Sequence, residues 1–449
     1  MGGSGSRRRS RVPAGRVERL ARIGWMAGEL ALGGVAESVR RLAKGGDGEG
    51  GNPFLTGANG RRLAKRLSSM RGAAMKLGQL LSLEGEDLLP TEVAEALGIL
   101  RADGDSMPRS QLRRVLGRAW GHGWEERFLE FDYEPIAAAS IGQVHHAVAL
   151  DGRQLALKIQ YPGIARSIGS DVDNLAAALR LARLLPGEID LRELLAEAKR
   201  QLRREADYKA EAESLRRYGE LLAGSAEFAV PAVYDDLTTA HVLAMDQLMG
   251  PPLEDLCGPD HSQQRRDRAG RALLGLVLRE LFEFRFVQTD PNFANYLWLP
   301  QSEQIGLLDL GAAREVPRDL SRLYALLCRS AMRGDRDGLY QVAVEMGLLA
   351  GDESRERRDL FVDFLELTSE PFRSSGAYDF RDSDVPRRAR EMATRLAFQH
   401  GFLKPPPPDV VFLQRKLGGS FLLCARLGAR VDVQSLLAES LERQGLQGA

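Results

Sequence analysis

Two short polar segments set around one apolar strand constrain this chain more than any other feature. Asp290 stands five residues before Asn295 in Gln288-Thr289-Asp290-Pro291-Asn292-Phe293-Ala294-Asn295. Fourteen residues after Asn295, the apolar run Ile305-Gly306-Leu307-Leu308 leads into Asp309-Leu310-Gly311. A lone Asp-Leu-Gly arises easily by chance. The two segments together, after a helical stretch and around a strand, are specific. Two carboxylates and an amide carbonyl are hard oxygen donors, the set that suits Mg²⁺. Asn295 and Asp309 are the candidate metal ligands, and Asp290 the candidate catalytic acid or base.

The Asp-to-Asn spacing equals that of the protein-kinase catalytic loop, and Asp-Leu-Gly resembles the metal-binding Asp-Phe-Gly with Leu for Phe. Phosphoryl chemistry on a nucleotide also needs a lysine on the phosphate oxygens, an acid to hold that lysine, and a loop over the phosphates. Ala156-Leu157-Lys158-Ile159 resembles the kinase strand that carries this lysine. Upstream, Ala137-Ala138-Ala139-Ser140-Ile141-Gly142-Gln143-Val144 stands where a Gly-rich loop belongs. Alanine does not adopt positive φ cheaply, so a stiffer loop is expected there. The acid partner should come from the following helix, which carries Glu205, Asp207 and Glu211. Asp207 and Glu211 are four apart and share a face.

The rest of the chain frames these segments. At 449 residues it has room for two or three domains, or for one bilobal enzyme with extensions. Hydrophobic residues make up 44% and the formal net charge is zero, so bulk attraction to nucleic acid is not expected. Basic residues outnumber acidic ones from Arg7 to Arg66, an asymmetry that favours an anionic membrane surface as partner or else a solvated tail. Val17, Leu20, Ala21, Ala31 and Val35 can share a helical stripe there. An Arg-rich, acid-poor start fits a mitochondrial transit peptide or a bacterial tail. Preference for Arg over Lys, with abundant Ala, Gly and Leu, favours a bacterial source and a cytoplasmic, peripherally membrane-associated protein; a eukaryotic source would make it mitochondrial. No stretch has the apolar length of a membrane span. Cys257, Cys328 and Cys424 match no zinc or disulfide spacing and read as small core residues.

The chain divides into residues 1–60, a basic segment with a Gly-rich linker; 61–130, helical, with Leu63, Leu67, Met70, Ala74, Leu77 and Leu81 at spacings of three and four; 131–250, strand-rich; and 251–449, helical. Within the strand-rich region, Val144 to Leu150, Gln154 to Gln160 and His241 to Asp246 are expected strands, with a hairpin turn at Asp151-Gly152. One long charged helix is expected over Leu191 to Leu222, a surface loop over Glu370 to Pro386, and an extended connector at Pro405 to Pro408.

Taken together, the sequence resembles the UbiB-like (AarF-domain) atypical kinases, a group tied to ubiquinone biosynthesis. Met75-Lys76-Leu77-Gly78-Gln79 looks like the family's Lys-x-Gly-Gln signature, Glu205-x-Asp207 like its Glu-x-Asp motif, and Arg415-Lys416-Leu417-Gly418-Gly419-Ser420 like its C-terminal segment. The resemblance covers about residues 60–440. It implies an α+β, bilobal, protein-kinase-like fold with a small β-rich N-lobe, a helical C-lobe and an N-terminal helical extension. It implies ATP or ADP bound with Mg²⁺, the nucleotide contacted by Ala137, Ala138, Ala139, Ser140, Lys158 and Glu211. It implies a Lys158–Glu211 pair, and a regulatory extension carrying catalytic Lys76 with Gly78 and Gln79, held by Glu205 and Asp207. Because that extension covers the protein-substrate site, ATP hydrolysis or phosphorylation of a small lipid-like molecule is more plausible than protein phosphorylation. Partners implied are an isoprenoid lipid or quinone precursor and ubiquinone-biosynthesis enzymes. Asn292 stands where many Ser/Thr kinases place a phosphate-stabilising lysine, which weakens the case for transfer to a hydroxyl. The alternative is a nucleotide-gated binding protein with little catalysis. A conventional protein kinase is the least favoured reading.

Overall fold

A computed structural model describes residues 107–139, 141–181, 192–399 and 407–443. Residues Lys76, Gly78, Gln79 and Ser140, and the stripes expected before residue 107, lie outside the described residues. The chain falls into two compact units. Of the described residues, the first holds 107–213 with 232–247, and the second holds 214–231 with 248–443.

The first unit is built on a four-stranded antiparallel sheet in the order β1-β2-β3-β5. A helix, α1 (Arg109–Trp120), precedes it, followed by β1 (Phe128–Ala139), β2 (Gly142–Ala149) and β3 (Gln154–Gln160). Helices α2 (Ile164–Leu181), α3 (Arg192–Glu205) and α4 (Tyr208–Leu221) come next; α4 begins in the first unit and ends in the second. A short strand of the second unit, β4 (Phe228–Ala229), then precedes β5 (Val242–Asp246), which completes the first unit's sheet. The β2–β3 turn is where the sequence expects it. Gly152 takes φ +87°, and Asp151 accepts a hydrogen bond from the Arg153 amide at 3.2 Å.

Two expectations need correction here. Ala137, Ala138 and Ala139 are not a loop: they end strand β1, paired with Val144, Gln143 and Gly142. Without glycines to open the backbone, the alanines continue the ladder as far as Ala139, which pairs with Gly142. The single long helix is two helices. The chain breaks at Ala206 and Asp207, where the Asp207 carboxylate accepts the Ala210 amide at 3.1 Å and starts α4. Asp is a favoured helix cap because its side chain satisfies an orphan amide of the first turn.

The second unit is mainly helical. Its order is α5 (Gln263–Leu278), a π-helical turn (Arg279–Phe284), β6 (Phe286–Gln288), β7 (Tyr296–Leu299), β8 (Gln304–Leu307) and β9 (Ala313–Glu315). There follow α6 (Arg318–Arg333), α7 (Arg336–Glu345), α8 (Arg355–Thr368), β10 (Tyr378–Asp379), α9 (Val385–Gln399), α10 (Pro408–Leu427), β11 (Arg430–Val431) and α11 (Val433–Arg443). β4, β8 and β7 form one small sheet, β6 and β9 another, and β10 and β11 a third. Helices stop and start on local chemistry. Ser262, Asp335 and Ser354 cap α5, α7 and α8, and Gly334 ends α6 in the left-handed region. The stretch expected as a surface loop is partly structured: it carries β10, buried Phe380, and Pro386 inside α9. Pro407 is extended, whereas Pro408 opens α10, a first-turn position that proline tolerates. Cys328 and Cys424 are buried as expected, while Cys257 is half-buried.

Candidate nucleotide and metal site

In the first unit, Lys158 sits mid-strand on β3, paired with Val144 on one side and Leu243 on the other. A central strand buries both faces, so its lysine is buried too and needs a counter-charge. Glu211, one turn into α4, provides it: Nζ lies 2.8 Å from Oε1, with the carboxylate 1% exposed. The Tyr208 ring lies 5.5 Å from the same ammonium. Gly142 is required where β2 starts. A Cβ there would stand 2.9 Å from the Tyr208 hydroxyl and against the Ile159 carbonyl.

Beside this pair runs a buried polar chain that the sequence did not single out. Gln143 accepts the Met107 amide at 2.8 Å and meets His145 Nε2 at 2.6 Å, while His145 Nδ1 lies 2.8 Å from the Asp132 carbonyl. Burial pushes the His145 pKa below its usual value, and the carbonyl of Asp132 opposes this only in part. The imidazole is therefore neutral, donating from Nδ1 and accepting from the Gln143 amide at Nε2. Its ring stacks on Phe131 at 5.6 Å.

In the second unit, the segment 288–295 and Asp309 are tied together by backbone and side-chain bonds. Asn295 Nδ2 donates to the Asp290 carbonyl at 3.0 Å. Gln288 donates from Nε2 to the Asp309 carbonyl and accepts the Asp290 amide at 3.2 Å through Oε1. Thr289 Oγ1 donates to the Ala312 carbonyl at 2.9 Å, and the Leu308 amide donates to the Asn295 carbonyl at 3.0 Å. Asp309 Oδ1 accepts the Gly311 amide at 3.0 Å. Asn295 spends its side-chain NH₂ on the Asp290 carbonyl, so its side-chain oxygen Oδ1 is the atom that could hold a cation. Among the described residues no group of three or more His, Cys, Asp or Glu side chains forms a metal cluster. One or two carboxylates with an amide oxygen fit Mg²⁺, which keeps waters and takes phosphate oxygens for its other positions.

The residues that hold Asp290 were not anticipated. Arg415, on α10, places Nη2 3.1 Å from Asp290 Oδ1. The next residue, Lys416, is 2% exposed and pairs at 2.9 Å with Glu280 in the π-helical turn. Glu280 also accepts the Tyr218 hydroxyl at 2.8 Å and the Gln288 amide at 3.4 Å. Burial pulls the Lys416 pKa down, but Glu280 and Tyr296 outweigh it and the net direction is up, so the ammonium stays charged. Burial, then Glu280, pushes the Tyr218 phenol well up. Gly419, one turn after Lys416, lies flush on Pro291, and a Cβ there would overlap the proline ring. The signal was in the sequence as the run Arg415 to Ser420, whose partners only the fold reveals.

Comparison with known proteins gives the family and the fold. The ABC1 atypical kinase-like domain profile matches residues 99–343. The chain belongs to this family. Its atypical-kinase relatives include the rat "Atypical kinase COQ8B, mitochondrial", 40% identical over 97% of this chain and 82% of its own length. The budding-yeast "Atypical kinase COQ8, mitochondrial" is 37% identical over 96% of this chain and 85% of its own length. A solved Mycobacterium tuberculosis protein, Rv3197 in complex with erythromycin, shares the fold at TM-score 0.58 and 24% identity, over 84% of this chain and 93% of that one. The chain therefore has a kinase-like α+β fold, and its family is that of atypical kinases, not of conventional protein kinases. No helix of the described residues is long and apolar enough to cross a membrane.

Proposed function

We propose that the chain binds Mg²⁺–ATP and turns it over, in support of ubiquinone or other isoprenoid-lipid metabolism at a membrane. The observation that carries this reading is the buried Lys158–Glu211 pair. A cation on a central strand, matched by a helix carboxylate, is the arrangement by which kinases set a lysine on α and β phosphates. Lys158 would hold phosphate oxygens, and Glu211 would keep its ammonium oriented. Asn295 and Asp309 would hold Mg²⁺, which when bound supplies charge neutralisation on the phosphates. Asp290 would orient the attacking water or hydroxyl, and the end of β1 at Ala137–Ala139 would lie against the nucleotide. Lys76, Gly78 and Gln79, with Glu205 and Asp207, form the proposed regulatory extension. The ubiquinone link rests on the relatives named COQ8, and peripheral membrane association on the basic N-terminal segment.

A second reading is a nucleotide-gated binding protein with little turnover. It is favoured by Arg415, whose guanidinium neutralises the carboxylate that an attacking group would use.

The deciding experiment is phosphate release from Mg²⁺–ATP, with and without anionic liposomes, beside Asp309→Asn. Release that falls at least about 100-fold in the variant supports turnover at this site. Equal release from both proteins sinks the reading, and nucleotide binding without release moves it to the gated binder.

A further inference from the structure

α10 carries two faces with different tasks. At about 100° per residue, Arg415, Lys416 and Gly419 share one side, Leu417, Gly418, Phe421 and Ala425 share the other, and Leu422 lies at the edge between them beside Arg415. The first side holds the segment around Asp290, through Arg415 to Asp290, Lys416 to Glu280 and Gly419 against Pro291. The second side is one wall of a cavity of about 470 Å³ within the second unit. α6, α7, α8, α9 and the segment 369–383 supply the other walls, with Cys328, Leu339, Leu365 and Ala389 among the helices' contributions.

The lining says what belongs inside. Six aromatic rings face it: Tyr324, Phe364, Phe372, Tyr378, Phe380 and Phe421. Phe421 meets Phe380 edge-on at 5.3 Å and Phe372 at 6.3 Å. Several of the wall's polar groups are engaged locally. Thr368 donates to the Phe364 carbonyl at 3.0 Å, Ser369 to the Leu365 carbonyl at 2.6 Å, and Tyr378 to Glu370 at 3.1 Å. The single charged lining residue, Arg390, is exposed. Leu422 is 47% exposed beside the cavity, which gives an apolar entrance. Protein interiors keep few voids larger than a water, and an apolar cavity of this size is a ligand site by default. An apolar cavity of ~150 Å³ takes one benzene, so this one takes roughly three times as much, about 18 carbon atoms.

We infer that this cavity binds an uncharged hydrocarbon chain, and that its occupancy is transmitted through α10 to Asp290. A chain seated against Leu417 and Phe421 presses on the helix whose opposite side carries Arg415 and Gly419. A packed helix answers such pressure by a small rigid shift rather than by local deformation. Binding is independent of any catalytic role for Asp290, and only the consequence for turnover rests on the function proposed above.

The test uses the full chain and a hexadecyl alcohol bearing a photoactivatable diazirine. Labelling should map to α9 and α10, and should fall at least about tenfold, or ~1.4 kcal/mol of binding, in Ala389→Phe, which fills the cavity. Gly418→Leu serves as a second occluding variant, because a Cβ at Gly418 meets nothing within 4 Å. Labelling that stays at the parent level in either folded variant overturns the site. Competition by free hexadecanol, or by phosphatidylcholine vesicles, separates a soluble apolar molecule from a membrane lipid as the source. Transmission is read as hydrogen exchange of the amides from Gln288 to Asn295, with and without hexadecanol. A change that disappears in Ala389→Phe supports it, and exchange that ignores the alcohol overturns it. Neither readout needs ATP turnover, so an inactive chain would sink the proposed function and leave this inference to be decided by its own results.

Discussion

Lys158 and Glu211 show how burial turns a residue type into a requirement. Neither charge is stable alone where it sits: the ammonium side chain is 10% exposed and the carboxylate 1%. Breaking one partner of a buried pair costs roughly 3–5 kcal/mol, whereas replacing both by apolar groups is often neutral. Glu211→Gln is therefore expected to destabilise the first unit by about 3–5 kcal/mol in urea unfolding. Lys158→Met combined with Glu211→Leu should recover most of that loss while nucleotide binding, read by calorimetry, stays absent. A double variant that still binds nucleotide would remove Lys158 from the phosphate role. At this scale the sequence offered its candidates locally: Lys158 by its strand motif, and Asp290, Asn295 and Asp309 by their spacing. Glu211 was one of three acids on a charged stretch, and the family pattern rather than helical spacing selected it. Arg415 and Lys416 were legible only as a run of residues. Their partners, Asp290 and Glu280, lie more than a hundred residues away in the chain, and no local pattern encodes such a pairing.

Elements decide how these side chains are presented. The alanines at 137–139 extend strand β1 because nothing in them favours a left-handed turn, so the segment proposed to lie against the nucleotide begins as a paired strand. The break at Ala206 and Asp207 separates α3 from α4 and gives α4 its own cap, which starts Glu211 one turn into a helix rather than mid-way along a long one. α5 ends in a π-helical turn that buries Glu280, and wide turns of this kind concentrate at functional sites. α10 answers it with Lys416 and presents a glycine to Pro291. Gly419→Val is expected to cost about 1–3 kcal/mol through overpacking. It should also lower turnover more than it lowers nucleotide affinity, because the displaced part is the Asp290 segment. Titration of nucleotide binding beside single-turnover kinetics checks this, and equal losses in both would mean a general loss of packing.

On the scale of the whole molecule, the two units differ in how acid should affect them. His145 is buried neutral in the first unit with its pKa below the usual value of about 6.5. The unfolded chain therefore binds a proton that the folded chain refuses, so its contribution is fully present above about pH 6.5 and is lost as pH falls through and below that value. Urea unfolding followed by Trp120 and Trp124 emission should show the first unit losing stability between about pH 7.5 and 5.5, with a shallower slope in His145→Gln. An identical slope would place the acid sensitivity elsewhere. The second unit holds Lys416 charged through the same range, since its pKa moves up. By itself the sequence determined the kinase-like order of parts, the β2–β3 hairpin, the candidate metal ligands and the family, because each is written in a short stretch with its own spacing or turn chemistry. Only the tertiary structure decided which distant residues pair, where α3 ends and α4 begins, and that α10 stands between Asp290 and an apolar cavity. Those outcomes depend on burial, and burial is a property of what packs against a residue rather than of its neighbours in the chain.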